Sequence, residues 1–549
     1  VLFGTALVLL AVAPLSAQSP DNMLLRRVDS VFAPWSRTDT PGCAVGVDRD
    51  GAPLLRRAYG MANLETGTPW TVNTISESGS VAKQFTAAAI VLAARDGLFS
   101  LDDDVSRWIP EVKGFGKKIS IRNLLSHTSG IPDRYTLHEV QGRPAGETDH
   151  NNREVVALVG KLRELNFDPG EDYEYSNTGL IVASILLVRA TGKSLQAFTD
   201  ARIFQPLGML DTRWREDHRV VVPGRASAYS GTVPGAFRND HPFTRVIGSG
   251  GLLTTVGDWL KWEAALQRGE GDWGAVRDSL ERPMRLNDGT ELTYGLGVGV
   301  SRARGVLTIS HTGSTGGYRA ALSRYPDQRV AIALLCNLGS INPAVVQQRV
   351  AALVLGSALA AAPAEPAPAG LDTAALTALV GAYHSPRTEE ILILSLLNGS
   401  LTDSVARATL IPLAPLKFKY RGGERTLTVL PGASGAPTRL RLEAPNARAV
   451  EYVAVGRLRP TAVTLAGYAG TYRSPELDAV VHLVASGDTL RLDTGHSWQE
   501  PIVMRPLYNE GFYAGGAGVI RFERDRRGKP TGFVLWAGRV RHLRFQRQY

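Results

Sequence analysis

One hexapeptide pattern, Gly-x-Tyr-x-Ser-Pro, occurs twice in this chain. Gly381-Ala382-Tyr383-His384-Ser385-Pro386 returns as Gly470-Thr471-Tyr472-Arg473-Ser474-Pro475, 89 residues on. Leu401 and Pro412 map to Leu490 and Pro501 at the same offset of 89. The offset then grows to 93, carrying Gly435-Ala436-Pro437-Thr438 to Gly528-Lys529-Pro530-Thr531 and Tyr452 to Phe545. A constant offset with one short insertion means two copies of one fold. Within the copies apolar residues alternate with polar ones, at Leu440 and Leu442, Leu490 and Leu492, and Leu543-Arg544-Phe545. Asn398-Gly399, Gly422-Gly423 and Gly487-Asp488 supply turns. Period-two strands with frequent turns predict two small antiparallel β-barrels. Neither copy holds a nucleophile constellation, so both read as accessory modules.

Upstream of the repeats, Ala360 to Gly370 reads AAAPAEPAPAG. Proline removes backbone donors and stiffens the chain, so this is a linker that few contacts should cross. The expected organisation is an export segment at 1–17, a large domain at 18–360, a linker at 361–371, and barrels at 372–456 and 457–549. In the large domain, strand-like runs lie early (Cys43 to Val47) and late (Leu307 to Ser310, Arg329 to Cys336). Helical patterns fill the middle (Val81 to Ala94, Thr178 to Ala190, Thr255 to Leu266). Strands from both ends with helices between make an α/β arrangement, not a repeating βαβ one.

Charge is unevenly spread. From Leu371 onward, 23 basic and 15 acidic residues carry +8 of the net +9. An arginine-rich, solvated strand surface is the plain reading; an anionic envelope polymer or lipid headgroup is the other. Nucleic acid is not an expected partner, because no basic helix, zinc-finger spacing or stacking motif is present. Val1 to Ala17, VLFGTALVLLAVAPLSA, matches the apolar core and small-residue cleavage site of a secretory signal, with cleavage expected after Ala17. It is short for a membrane span. The mature protein is therefore expected in the periplasm or outside the cell, with no retained membrane span. Two cysteines, Cys43 and Cys336, lie in apolar runs. An oxidising compartment permits a disulfide. Two buried free thiols are the expectation, since nothing in the sequence brings the two together.

Three short motifs carry chemistry. Ser80-Val81-Ala82-Lys83 opens a strong helical run, and residues three apart share a helix face. A lysine disfavoured as an ammonium by burial can take a serine proton and make a nucleophile. Tyr175-Ser176-Asn177 sits on a loop between helices. A phenol near that lysine is expected to have a lowered pKa and to relay protons, and Asn177 offers donor and acceptor to substrate or to Lys83. His311-Thr312-Gly313-Ser314 follows a strand. Gly313 leaves a strand edge open to substrate, and the Ser314 and Ser80 amides form an expected oxyanion hole. Alone, each motif has a structural reading: an N-cap serine with a surface lysine, a capping asparagine beside a half-buried tyrosine, a structural histidine. The ten histidines show no metal-ligand spacing, so no metal or cofactor is expected.

Taken in order, Ser-x-x-Lys, Tyr-x-Asn and His-x-Gly resemble the penicillin-recognising serine hydrolases. That group holds class C β-lactamases, D-Ala-D-Ala carboxypeptidases, D-aminopeptidases and related esterases. Leu124 to Ile131, Phe167 to Asn177, Pro206 to Met209 and Gly248 to Leu252 look like the same family, and the resemblance spans about Asp29 to Val354. It implies a β-lactamase/transpeptidase-like domain, an antiparallel sheet flanked by helices. It implies Ser80 as the acylated nucleophile, Lys83 as its proton acceptor and Tyr175 as a proton shuttle. His311 stands where many β-lactamases have lysine, a departure that is similar to some carboxypeptidases of the group. Thr312 and Ser314 then bind a substrate carboxylate or carbonyl, and His127 is structural. The paired barrels resemble those of D-aminopeptidases, whose barrel loops narrow the cleft. Tyr508 to Gly516 is the candidate loop here. The expected substrate is a small D-amino-acid peptide, amide or ester, with peptidoglycan a further candidate partner. An esterase with little peptidase activity and a catalytically silent envelope-binding protein are the alternatives.

Overall fold

The computed structural model describes residues 20–144, 146, 148–361, 370–430, 438–444, 447–456, 460–495 and 500–549. The export segment 1–17, the centre of the linker and residues 457–459 lie outside the described residues.

The first region is built on a six-stranded antiparallel sheet. Its strands are β1 (Cys43–Arg49), β2 (Ala52–Tyr59), β3 (Gly299–Ala303), β4 (Val306–Thr315), β5 (Tyr318–Tyr325) and β6 (Val330–Cys336), in the order β3-β4-β5-β6-β1-β2. Early and late strands meet where β1 pairs with β6. The sheet is covered on both faces, which is why VAIALLC reads as an unbroken apolar run. Val330, Ile332 and Leu334 face Val28 and Phe32 of the helix Pro20–Phe32 and Val350 of the helix Pro343–Leu355. Ala331, Ala333 and Leu335 point the other way, into the larger cluster around Phe85. The helix Lys83–Arg95 runs through that cluster, with Lys83 to Ala93 all buried. Small residues at Ala87-Ala88-Ala89 let its neighbours approach on every side.

The cysteines depart from expectation. Cys43 and Cys336 are direct partners in the β1–β6 register and are joined in a disulfide, with Cα atoms 4.0 Å apart. Strand pairing across 293 residues decides this, and neither apolar run shows it alone.

Both repeats close into eight-stranded antiparallel barrels, one from Gly381–His384 to Val450–Ala454 and one from Gly470–Ser474 to Val540–Gln548. The repeated tyrosine has one job in each. Tyr383 donates to the Leu379 carbonyl at 2.9 Å and Tyr472 to the Tyr468 carbonyl at 2.8 Å, pinning the first strand to the segment before it.

The second barrel is docked on the first region. Leu137, Leu158 and Leu162 share its apolar cluster, and Gln141 Nε2 donates to the Leu477 carbonyl at 2.8 Å. Part of the C-terminal basic excess is matched inside the chain: Arg387 pairs with Asp172 (3.0 Å), Arg448 with Glu171 (3.3 Å), Arg541 with Glu174 (3.4 Å) and Arg544 with Glu164 (3.0 Å). These arginines pair with the acidic Glu164–Glu174 edge while most of them stay open to solvent.

Candidate active site

Ser80 stands in a 3₁₀ turn, Gly79–Ala82, that leads into the helix Lys83–Arg95. The turn passes very close to β4. A Cβ built on Gly313 would stand 1.9 Å from the Ser78 carbonyl oxygen, and one on Gly79, at φ +50°, would stand 2.5 Å from the Ser314 nitrogen. Only glycine fits at either place. The contact brings the Ser80 and Ser314 amides to one junction.

Lys83 is fully buried beneath this turn. Its Nζ lies 3.0 Å from Ser80 Oγ, 2.8 Å from Asn177 Oδ1 and 2.7 Å from the Ser249 carbonyl oxygen. Burial pushes its pKa well below the usual lysine value, Asp133 pulls it back, and Arg539 and Arg134 lower it further. The shift favours the uncharged amine, whose nitrogen stands within hydrogen-bond reach of the Ser80 hydroxyl. Asn177 is the first residue of the helix Asn177–Thr191. Asp133 orients it: Asp133 Oδ2 accepts from the Asn177 backbone N–H at 2.6 Å and from its Nδ2 at 2.9 Å, so Oδ1 is turned to Lys83.

Tyr175 precedes that helix, with Lys83 Nζ 4.8 Å from its ring centre. Its phenol is not lowered as expected. Burial pushes it up, and the Ser80 hydroxyl offsets only part of that. Desolvation of a phenolate outweighs the lowering by the Ser80 hydroxyl and by Arg539. Tyr175 therefore keeps its proton at physiological pH.

Thr312, Gly313 and Ser314 line the same cleft as Ser80, Tyr175 and Asn177. His311 stands behind that wall. Its ring centre is 6.1 Å from that of Tyr175, and burial together with Lys83 lowers its pKa to about 3. Its Nδ1 is 2.6 Å from the Thr312 carbonyl and its Nε2 3.1 Å from the Tyr294 hydroxyl. His127 reaches the same hydroxyl through Nε2 at 3.2 Å, and its Nδ1 accepts the Ser176 N–H at 3.2 Å. Burial lowers the His127 pKa well below the usual histidine value. These partners set the tautomers. The neutral His127 ring carries its proton on Nε2 and donates to Tyr294, which donates to His311 Nε2, while His311 Nδ1–H donates to the Thr312 carbonyl.

The cleft encloses about 760 Å³. A barrel segment reaches it, but not Tyr508 to Gly516: Tyr508 donates instead to Glu389 of the first barrel at 2.8 Å. The segment is Gly538-Arg539, between the last two strands of the second barrel. The Arg539 carbonyl accepts from the Asp133 N–H at 3.2 Å and from Asn166 Nδ2 at 2.9 Å. Its guanidinium carbon stands 4.9 Å from the Tyr175 ring centre. Asp133, Ser249, Tyr294 and Arg539 carry no sequence motif of their own that marks them as site residues. The stretch Gly248 to Leu252 shows only a family resemblance in sequence.

A family model described as Beta-lactamase matches residues 28–356. A penicillin-binding protein of Bacillus subtilis (strain 168) is 29% identical over 306 residues, which are 52% of this chain and 66% of that protein. The D-aminopeptidase of Brucella anthropi is 24% identical over 527 residues, 92% of this chain and 95% of that protein. The octameric penicillin-binding protein homologue from Pyrococcus abyssi shares the fold with a TM-score of 0.55 at 19% identity, covering 86% of this chain and 98% of that one.

Proposed function

The chain belongs to the beta-lactamase family of serine hydrolases, and from that premise we propose that it cleaves D-amino-acid-containing peptides or amides through an acyl-enzyme on Ser80. One observation carries the reading: the buried Lys83 amine, its pKa pushed well below the usual lysine value, lies 3.0 Å from Ser80 Oγ. The likeness to D-aminopeptidases along most of the chain supports the substrate class.

Lys83 accepts the Ser80 proton as Oγ attacks the substrate carbonyl. The Ser80 and Ser314 amides hold the developing oxyanion. Tyr175 passes its proton to the leaving nitrogen and is reprotonated by the Lys83 ammonium, so the serine proton ends on the leaving group. Water then attacks the acyl-enzyme, Lys83 and Tyr175 carrying its proton back to Ser80. Thr312 and Ser314 bind the substrate along the edge of β4, where Gly313 leaves room. No step calls for a metal or cofactor. We also infer export to the periplasm or beyond, a reading supported by the apolar run Val1 to Ala17 and by the Cys43–Cys336 bond.

The test is turnover of a D-alanyl amide, its L-counterpart, an acyl-D-Ala-D-Ala peptide, a cephalosporin and a p-nitrophenyl ester. A D-amino-acid amide or peptide turned over well above the L-amide supports the proposal. Turnover of the ester alone makes the protein an esterase and overturns it.

A further inference from the structure

Arg134 opens the helix Arg134–Val140 and lines the same cleft as Ser80. It is 1% exposed, yet its Nε and Nη1 have no hydrogen-bond partner among the described residues. Among the described residues no carboxylate forms an ion pair with it. Its close neighbour is the ring of Tyr135, 4.0 Å from the guanidinium carbon. A guanidinium does not shed its proton in a protein, so this is a buried cation without a counter-ion.

The carboxylates around it are already committed. Asp133 Oδ2 takes both amide donors of Asn177, and Oδ1 takes the Tyr135 N–H at 2.9 Å. Glu77 is held by Arg215 through two contacts of 3.1 Å and by Arg225 at 3.3 Å. Four arginines and these two carboxylates line the cleft, so Arg134 belongs to a lining with an excess of positive charge. Burying such a group is costly unless the partner arrives with the ligand.

We propose that Arg134 is a specificity-determining residue that receives a carboxylate carried by the substrate. A guanidinium binds a carboxylate through charge-assisted hydrogen bonds, stronger than those to a neutral amide. The inference rests on the acyl-transfer reading for where the reacting bond lies. The carboxylate belongs either to the acyl side of the substrate or to its leaving group, and the chemistry at Arg134 is the same in both.

Two pairs of esters separate these sources and need no peptidase activity. One pair is p-nitrophenyl hemiglutarate against p-nitrophenyl butyrate, which differ by a carboxylate on the acyl side. The other is the butyryl ester of 3-hydroxybenzoate against phenyl butyrate, which differ by a carboxylate on the leaving group. The expected result is a preference of at least about tenfold in kcat/KM for the charged member of one pair, carried by KM. Arg134→Met should bring that ratio toward one, and Arg134→Lys should keep part of it. A wild-type ratio near one in both pairs means the guanidinium is satisfied by water, and overturns the proposal. So does a ratio that Arg134→Met leaves unchanged. Loss of the D-peptide reading looks different: the esters still turn over and still discriminate, but D-amides do not react.

Discussion

The hydroxyl of Tyr294 lies 3.1 Å from His311 Nε2. On its other side it meets His127, so one phenol holds two neutral imidazoles in fixed tautomers. Tyr294→Phe keeps the ring and removes the hydroxyl, leaving two ring nitrogens unpaired. Stability should fall by about 1–3 kcal/mol, read as a lower urea midpoint at unchanged m. Since His311 loses its orientation behind Tyr175, kcat should fall while KM changes little.

The acid limb of the kcat/KM profile should belong to Lys83. Its folded pKa is lowered by burial, and the active, neutral form exists above that pKa. Arg539 lowers it further, so Arg539→Gln should raise it and move the acid limb to higher pH. His311, at about 3, contributes no limb near neutrality. The linkage sign is the same in folding. The unfolded lysine binds more protons between the folded value and 10.5. The site's contribution to stability is therefore complete above 10.5 and lost as pH falls to the folded value. Chemical unfolding of wild type and Lys83→Met across pH checks this: the variant should lose that part of the slope.

The Cys43–Cys336 bond closes a loop spanning 293 residues. Its removal in a Cys43→Ser/Cys336→Ser double variant should cost about 2–4 kcal/mol by freeing the unfolded chain. Equal unfolding midpoints for the double variant and the oxidised wild type would contradict this.

Local pattern made much of this fold legible. The Tyr383/Tyr472 repeat announces two equal modules because the same side chain does the same job in each barrel. VAIALLC announces a strand buried on both faces. The Ser80-x-x-Lys83 spacing announces the nucleophile and base because three residues along a helix is a fixed distance. Pairings between remote segments leave no such trace. Nothing in CAVGV places Cys43 opposite Cys336. Nothing near Asp133 says that its carboxylate turns Asn177 toward Lys83. The phenol of Tyr175 departs from expectation because its proximity to Lys83 is visible in motif order, whereas its desolvation comes from packing that only the folded chain supplies. Arg539 lies more than 350 residues from Tyr175 and reaches it only because the second barrel docks on Leu137, Leu158 and Leu162.

The account depends on Ser80 being made a nucleophile by Lys83. Intact-mass spectrometry after exposure to a fluorophosphonate, followed by peptide mapping, tests this directly. Wild type should gain one adduct, on the peptide holding Ser80; Ser80→Ala should gain none, and Lys83→Met should gain it far more slowly. An adduct that persists in Ser80→Ala, or one that forms equally fast without Lys83, would contradict it.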